Sequence, residues 1–329
     1  MKPAIALLLA FMLPLTAFTA DDPYRRPARI PAPADNPLTP ERIQLGKMLF
    51  FDPRMSGSSN VSCSTCHLPE LGWSDGRPVA LGFDGKPQRR ASMTIVNAAY
   101  TPFIGWDGRR SSLEEQVKGS LNKKGAMHVD LEEALRILAS IPGYAPLFER
   151  AYPGEGITAD TMAKAIASFE RSVVSGESSF DRWRAGNPRG LSASAQRGFK
   201  VFEGKGRCST CHSGFNFSDG KFHNVGVKPT PKVEDLGRFA IVWEAGTKGA
   251  FKTPTLREIG RTSPYMHNGA YATLEEVVEH YDRGGDPQED LSPLVKPLRL
   301  SEREKGDLVA FLRSLSSDEV EFVAPVLPR

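Results

Sequence analysis

The four cysteines of the chain fall into two copies of one motif, Cys-Ser-Thr-Cys-His. The residues are Cys63, Cys66 and His67 in the first copy and Cys208, Cys211 and His212 in the second. This C-x-x-C-H pattern is typical of haem c attachment, in which two thiols add to the haem vinyl groups and the histidine binds the iron. Two disulfides, a zinc site built from both pairs, and a thioredoxin-like redox pair are the alternatives. None of them needs a histidine directly after each pair, so the sequence predicts two covalently bound haem c groups and redox chemistry.

The sequence around the two motifs is repeated. Residues 44–50 resemble residues 196–202, and both segments precede a motif. Trp-Ser-Asp-Gly at 73–76 follows the first motif, and Phe-Ser-Asp-Gly at 217–220 follows the second. An ordered internal repeat of this kind predicts two haem-bearing units in tandem.

The elements that must position these motifs read as helices joined by irregular loops. Thr39 before Pro40 and Asp130 with Glu133 are helix starts, and no long alternating run indicates a sheet. Apolar residues at helical spacing follow at Met162, Ile166, Phe169 and Val173, and capping boxes begin at Thr273 and Ser301. A turn-rich tract at 185–190 predicts a boundary between a first domain, 38–186, and a second, 187–329.

Composition places the chain among exported globular proteins. The 329 residues are 40% hydrophobic and 25% charged with a net charge of +3, which argues against disorder and against a nucleic-acid binder. Residues 1–20 have the form of a signal peptide, and their apolar run is short for a membrane anchor, the alternative. We therefore expect a soluble periplasmic protein, with a proline-rich N-terminal arm at 21–37.

Further motifs give the chain a family resemblance. Trp-Asp-Gly-Arg lies at 106–109, Phe-Lys-Thr-Pro-Thr-Leu-Arg at 251–257 and Pro-Tyr-Met-His-Asn-Gly at 264–269. With the two C-x-x-C-H motifs, they resemble the bacterial di-haem cytochrome c peroxidases, a family that includes MauG. The resemblance implies a mainly all-α fold of two tandem class I cytochrome c-like domains. It also implies that hydrogen peroxide reacts at the N-terminal haem, that the C-terminal haem accepts electrons, and that Trp106 relays them.

The resemblance also indicates ligands on the far side of each iron. Tyr281 stands where classical members of the family place a methionine on the second iron, as in the MauG branch. A core tyrosine, with the neighbouring His280 or a methionine as the ligand, is the alternative. No histidine lies between His67 and His128, and Phe83 stands near the place of the removable histidine ligand. We therefore expect an open first iron.

The acid–base residues of the family are only partly present. Gln116 matches the family glutamine, but Ala126 stands at the position of the family glutamate and Ser120 replaces a proline. His128 could supply the missing acid–base group, because its pKa suits proton transfer near neutral pH. A surface histidine and a ligand that closes the first iron are the other two interpretations.

A calcium ion between the haems is also implied by the resemblance. Thr262 and Pro264 match the residues whose carbonyls bind it, whereas Ala91 stands at the position of the family asparagine. Carbonyls and water could still bind calcium, more weakly. The sequence leaves calcium open.

Three functions remain as alternatives. The first is a peroxidase that takes electrons from a small cytochrome c or cupredoxin. The second is a MauG-like enzyme that oxidises a side chain of a partner protein, which Tyr281 favours. The third is a non-catalytic electron carrier or redox sensor, which Ala126 favours. The family often dimerises, so a homodimer is an open expectation.

Overall fold

A computed structural model describes residues 22–122, 126–228, 234–318 and 322–329. The predicted signal peptide, 1–20, lies outside these residues. Within them, no helix combines the length and apolar character that crossing a membrane requires.

The described chain is mainly helical, as predicted. Its helices are α1 Pro40–Phe51, α2 Leu113–Asn122, α3 Leu131–Ala139, α4 Ala145–Ala151, α5 Ala159–Ser172, α6 Ser179–Arg184, α7 Ala193–Glu203, α8 Phe239–Val242, α9 Leu274–Asp282 and α10 Glu302–Arg313. Strands β1 Phe222–His223 and β2 Phe251–Lys252 form a short antiparallel ribbon. Long irregular loops join these elements, and the loops contain both haem motifs.

Local capping explains where the main helices begin. The Thr39 side chain accepts a hydrogen bond from the backbone N–H of Arg42, directly before the proline that starts α1. Thr273 and Ser301 form the predicted capping boxes at the starts of α9 and α10. These bonds satisfy backbone donors that would otherwise lack partners at a helix start.

Two hydrophobic cores lie at two equivalent helix crossings. α1 packs on α5 in the first half, and α7 packs on α10 in the second. A Cβ atom on Gly46 would lie 1.8 Å from the Ala165 carbonyl oxygen, and one on Gly198 would lie 1.9 Å from that of Asp307. Only glycine allows such close approach. The repeated segments 44–50 and 196–202 therefore encode the same helix crossing twice.

The cores divide the chain differently from the predicted boundaries. Phe180 of α6 lies within the predicted first domain, yet its ring packs against Phe199 and Phe311 of the second core at 5.2 and 5.6 Å. Phe322 lies within the predicted second domain, yet it stacks on Phe51 at 5.2 Å, against the first core. The chain passes to the second core before α6, and the 185–190 tract is a turn inside the second half. Turn-forming residues mark a turn there, but the burial of Phe180 decides where the core begins.

The proline-rich arm connects both halves. Tyr24 is buried in the second core, where it stacks on Phe217 at 4.9 Å. Asn36 is fully buried in the first half, and its amide donates to Glu114 Oε1 at 3.0 Å. The arm is therefore anchored at both ends, with a turn near each anchor.

Candidate haem-binding and active site

One cavity of about 1600 Å³ contacts both motifs. This volume exceeds the roughly 300–1,000 Å³ of a typical site for one small ligand. Its wall includes all six motif residues, Cys63, Cys66, His67, Cys208, Cys211 and His212. The four thiols are unpaired, which removes the disulfide alternative and leaves them free to attach two haems.

The two histidines are held in the same way. His67 Nδ1–H donates to the Trp73 carbonyl oxygen at 3.1 Å, and His212 Nδ1–H donates to that of Phe217 at 2.8 Å. Each bond fixes the ring and leaves Nε2 as the atom that can bind a metal. Burial lowers the pKa of both imidazoles, so they are neutral, as a metal ligand must be.

The repeated aromatic-Ser-Asp-Gly segments explain these contacts. Trp73 and Phe217 have left-handed backbones, with φ of 62° and 48°, an uncommon conformation for aromatic residues. Ser74 Oγ donates to the Ser92 carbonyl at 3.0 Å, and Ser218 Oγ donates to that of Thr253 at 2.7 Å. The repeat therefore encodes a loop that aims one carbonyl at each histidine.

Lys252 provides a test of whether the cavity fits haem. Its side chain is buried at the cavity wall, and its Nζ donates to Thr101 Oγ1 at 3.2 Å. Burial lowers the pKa of this amine to about 8. A buried amine without a nearby anion is costly, and the haem propionates would supply that anion. The thiols, the neutral histidines and this lysine together fit haem c.

Trp106 lies in the cavity wall where the two halves meet. Its indole N–H donates to the Ala91 carbonyl oxygen at 2.9 Å. Burial of the adjacent Asp107 would by itself raise the pKa of its carboxyl. Hydrogen bonds and charge from Arg109 and Arg90 outweigh burial and lower this pKa to about 2. The ion pairs of Asp107 with Arg90 and Arg109 hold the loop that carries Trp106.

The structure separates the candidate ligands of the second iron. Tyr281 of α9 lines the cavity. His280 is fully buried, with Nδ1 at 2.9 Å from the Tyr271 hydroxyl and Nε2 at 2.9 Å from the Val225 carbonyl oxygen. Both ring nitrogens of His280 are occupied, which removes it as an alternative ligand. Met266 also lines the cavity and is therefore still an alternative ligand. The position of Tyr281 in the cavity wall agrees with its predicted role, which stays a prediction.

The residues expected beside the first iron include a polar pair. Gln116, Ser120 and Ala126 all line the cavity. Gln116 Nε2 donates to Ser120 Oγ at 2.9 Å across one turn of α2. The methyl group of Ala126 offers no acid or base at this place.

His128 lies outside this group. Its side chain is exposed and stacks on the ring of Phe83, with centroids 4.5 Å apart. Among the described residues that line the cavity, neither His128 nor Phe83 is present. The predicted acid–base role and the iron-ligand alternative therefore receive no support from its position, and the surface interpretation fits.

The predicted calcium ligands lie at the cavity wall, where Thr262 and Pro264 are both present. Ala91, at the position of the family asparagine, has no side-chain oxygen to add to their carbonyls. Within the described ranges, three or more acidic, histidine or thiol groups converge only at Cys211, Asp219 and His223. The thiol of that group belongs to the second haem motif.

Glu170 is a site residue that the sequence reasoning missed. It lies on α5, lines the cavity and is 7% exposed, and its Oε2 has no hydrogen-bond partner among the described residues. Burial raises the pKa of this carboxyl to about 8. The sequence feature that could have indicated Glu170 is its position four residues after Ile166, which places a carboxyl on the apolar face of the helix.

Known proteins resemble this chain over nearly its whole length. The profile of the family described as di-haem cytochrome c peroxidase matches residues 40–189. The methylamine utilization protein MauG of Methylorubrum extorquens is 44% identical over 308 residues, 93% of this chain and 86% of that protein. A cytochrome-c peroxidase of Denitromonas iodatirespirans is 38% identical over 320 residues, 88% of this chain and 85% of that protein.

A solved structure agrees with these relatives. The crystal structure of a MauG-like protein associated with microbial copper homeostasis is 31% identical and matches with a TM-score of 0.83. The match covers 92% of this chain and 96% of that one. This chain therefore belongs to the family of di-haem cytochrome c peroxidases that includes MauG, a family of haem c oxidoreductases.

Proposed function

We propose that this protein is an exported peroxidase that reduces hydrogen peroxide at a haem held by His67, with electrons from a haem held by His212. In this proposal each half of the chain is a class I cytochrome c-like domain. The reaction uses two electrons and two protons to convert one hydrogen peroxide into two water molecules. The observation that carries the proposal is the single cavity that contacts both motifs, with Trp106 in its wall. The named peroxidase among the relatives supports it.

Different residues of the cavity wall have different roles in this proposal. Bound haem supplies an iron centre that binds peroxide and exchanges electrons. His67 and His212 stay neutral and oriented through their carbonyl partners. Gln116 and Ser120 would present polar groups to the haem held by His67, and Trp106 would give a path between the halves.

The cellular setting extends the proposal. The signal-like residues 1–20 support export to the periplasm. A small cytochrome c or cupredoxin is the expected electron donor. Calcium at Thr262 and Pro264 and a homodimer remain parts of the proposal, carried by the family resemblance alone.

Stopped-flow absorbance of the fully reduced two-haem protein, mixed with stoichiometric hydrogen peroxide, tests the proposal. We expect oxidation within milliseconds, and loss of this phase when carbon monoxide occupies the first iron. Oxidation no faster than that of an exposed haem would instead favour the electron-carrier function, because Ala126 would then have removed the chemistry.

A MauG-like oxidation of a partner protein is the second candidate. Tyr281 in the cavity wall and the occupied nitrogens of His280 favour it, because an anionic oxygen ligand stabilises more oxidised iron than a thioether does. When the diferric protein is mixed with peroxide in the absence of a donor, an absorbance change beyond the ferric spectrum that persists for minutes would favour this candidate over the peroxidase.

A further inference from the structure

Ser120 and Tyr281 occupy corresponding positions in the two halves. An isolated bridge joins Ile104 to Arg110 before α2, and an equivalent bridge joins Tyr265 to Tyr271 before α9. Both helices then begin with Leu-Glu-Glu. Counted from these starts, Ser120 in α2 matches Tyr281 in α9, and both residues line the cavity. With Tyr281 as the predicted ligand of the second iron, the repeat would direct the Ser120 side chain towards the first.

The Ser120 hydroxyl is prepared to donate. Its oxygen accepts from Gln116 Nε2 at 2.9 Å, which holds the oxygen in place and directs the hydroxyl proton away from the amide. In the described part of the chain, no acceptor takes the Ser120 hydroxyl proton. Because a serine hydroxyl has one donor and two acceptor sites, its proton remains available to a ligand in the cavity.

Two charged side chains of α2 at this wall are already engaged. Lys118 pairs with Asp160, and Glu115 accepts from the Ser111 hydroxyl at 3.0 Å. Ala126 offers no hydrogen bond. Asn122 also lines the cavity, but it lies two residues from Ser120 and so on another face of α2. The Gln116–Ser120 pair therefore supplies the donor on its own face of the helix.

We propose that Ser120, oriented by Gln116, donates a hydrogen bond to the oxygen ligand of the first iron and so positions peroxide in place of the absent carboxylate. The inference rests on the proposed function, because it names the substrate-binding group of that site. Ser120 breaks no bond and abstracts no proton in this role. Its contribution is to binding and orientation.

Fluoride affinity of the ferric two-haem protein and the C–O stretch of its ferrous carbon monoxide complex test the inference without turnover. Both probes respond to a hydrogen-bond donor beside the iron. Ser120→Ala should weaken fluoride binding about three- to tenfold and raise the C–O stretching frequency, because one hydrogen bond is lost. Alanine suits a helix, so the variant should fold.

Three further variants separate a specific effect from a structural one. Ser120→Thr keeps the hydroxyl and should retain most of the affinity, whereas Gln116→Leu should reproduce part of the loss because the hydroxyl is no longer oriented. Ser140→Ala, at an exposed serine after α3, should change neither probe. Unchanged fluoride affinity and C–O stretch in Ser120→Ala would overturn the inference.

The inference and the proposed function can fail separately. Ser120→Ala could change the fluoride affinity and the C–O stretching frequency while peroxide fails to oxidise the wild-type protein. That result would contradict the peroxidase proposal and support the Ser120 hydrogen bond. Oxidation of the wild-type protein within milliseconds, with both probes unchanged in Ser120→Ala, would support the peroxidase proposal and contradict the role of Ser120.

Discussion

Trp106 and His267 take corresponding places in the two halves and face each other, with ring centroids 6.4 Å apart and planes at 72°. The halves exchange matching hydrogen bonds here: Lys252 N–H donates to the Trp106 carbonyl, and Ala91 N–H donates to that of His267, both at 2.8 Å. His267 stacks on Phe251 at 3.6 Å, and burial lowers its pKa to about 4. A neutral aromatic pair therefore forms the junction between the two haem sites.

Replacing Trp106 with Phe should slow electron transfer between the haems while both stay attached. The variant keeps an aromatic ring but loses the indole contact with Ala91, at a cost of about 1 kcal/mol of stability. Flash reduction followed at the two Soret bands measures the transfer. Trp243→Phe, at a tryptophan that is 75% exposed, is the matched control and should behave as wild type. Equal rates in both variants would remove Trp106 from the relay.

The sequence predicts local features of this fold better than the contacts between distant segments. The C-x-x-C-H motifs and the caps at Thr39 and Thr273 act over a few residues, so their types and spacing suffice. Phe180 and His128 depend on which surface the chain folds against, and one sequence carries no such information. The predicted boundary after α6 and the predicted role of His128 therefore do not agree with the packing.

Replacing Tyr281 with Phe should leave the second haem five-coordinate. In the protein without iron, burial raises the pKa of the Tyr281 phenol, so the neutral form is favoured. A ferric ion beside the oxygen reverses this, because a bound cation is the largest local charge. Electron paramagnetic resonance should show the second haem change from low to high spin. Tyr271→Phe, which removes the hydroxyl that bonds His280, should keep the wild-type spectrum. A low-spin Tyr281→Phe variant would point to Met266.

Replacing Ala126 with Glu should restore an acid–base group beside the first iron. Positioned general acid–base groups contribute about 10²-fold or more, so oxidation of the reduced protein by peroxide should accelerate on that order. Ala126→Gln has the same size without the carboxyl and is the control. If both variants accelerate equally, side-chain volume and not proton transfer is responsible.

Glu170 should make stability depend on pH. Burial is the largest effect on the Glu170 carboxyl and raises its pKa from 4.5 to about 8. The charge of Arg171 lowers this pKa, and the charge of Glu114 raises it. The raised value means that the folded protein keeps the proton that the unfolded chain releases. The associated stability is complete below about pH 4.5 and is lost as pH rises to about 8.

Glu170→Gln keeps the size of the side chain and removes this titration. Its melting temperature should match that of wild type near pH 4.5 and exceed it by roughly 5–9 °C at pH 8.5, measured by calorimetry of the two-haem protein. The buried histidines titrate in both proteins, so their effects cancel in the difference. Glu132→Gln, at an exposed position of α3, should show no such divergence. A constant difference between Glu170→Gln and wild type across this range would mean that folding of the two-haem protein does not raise the pKa of Glu170.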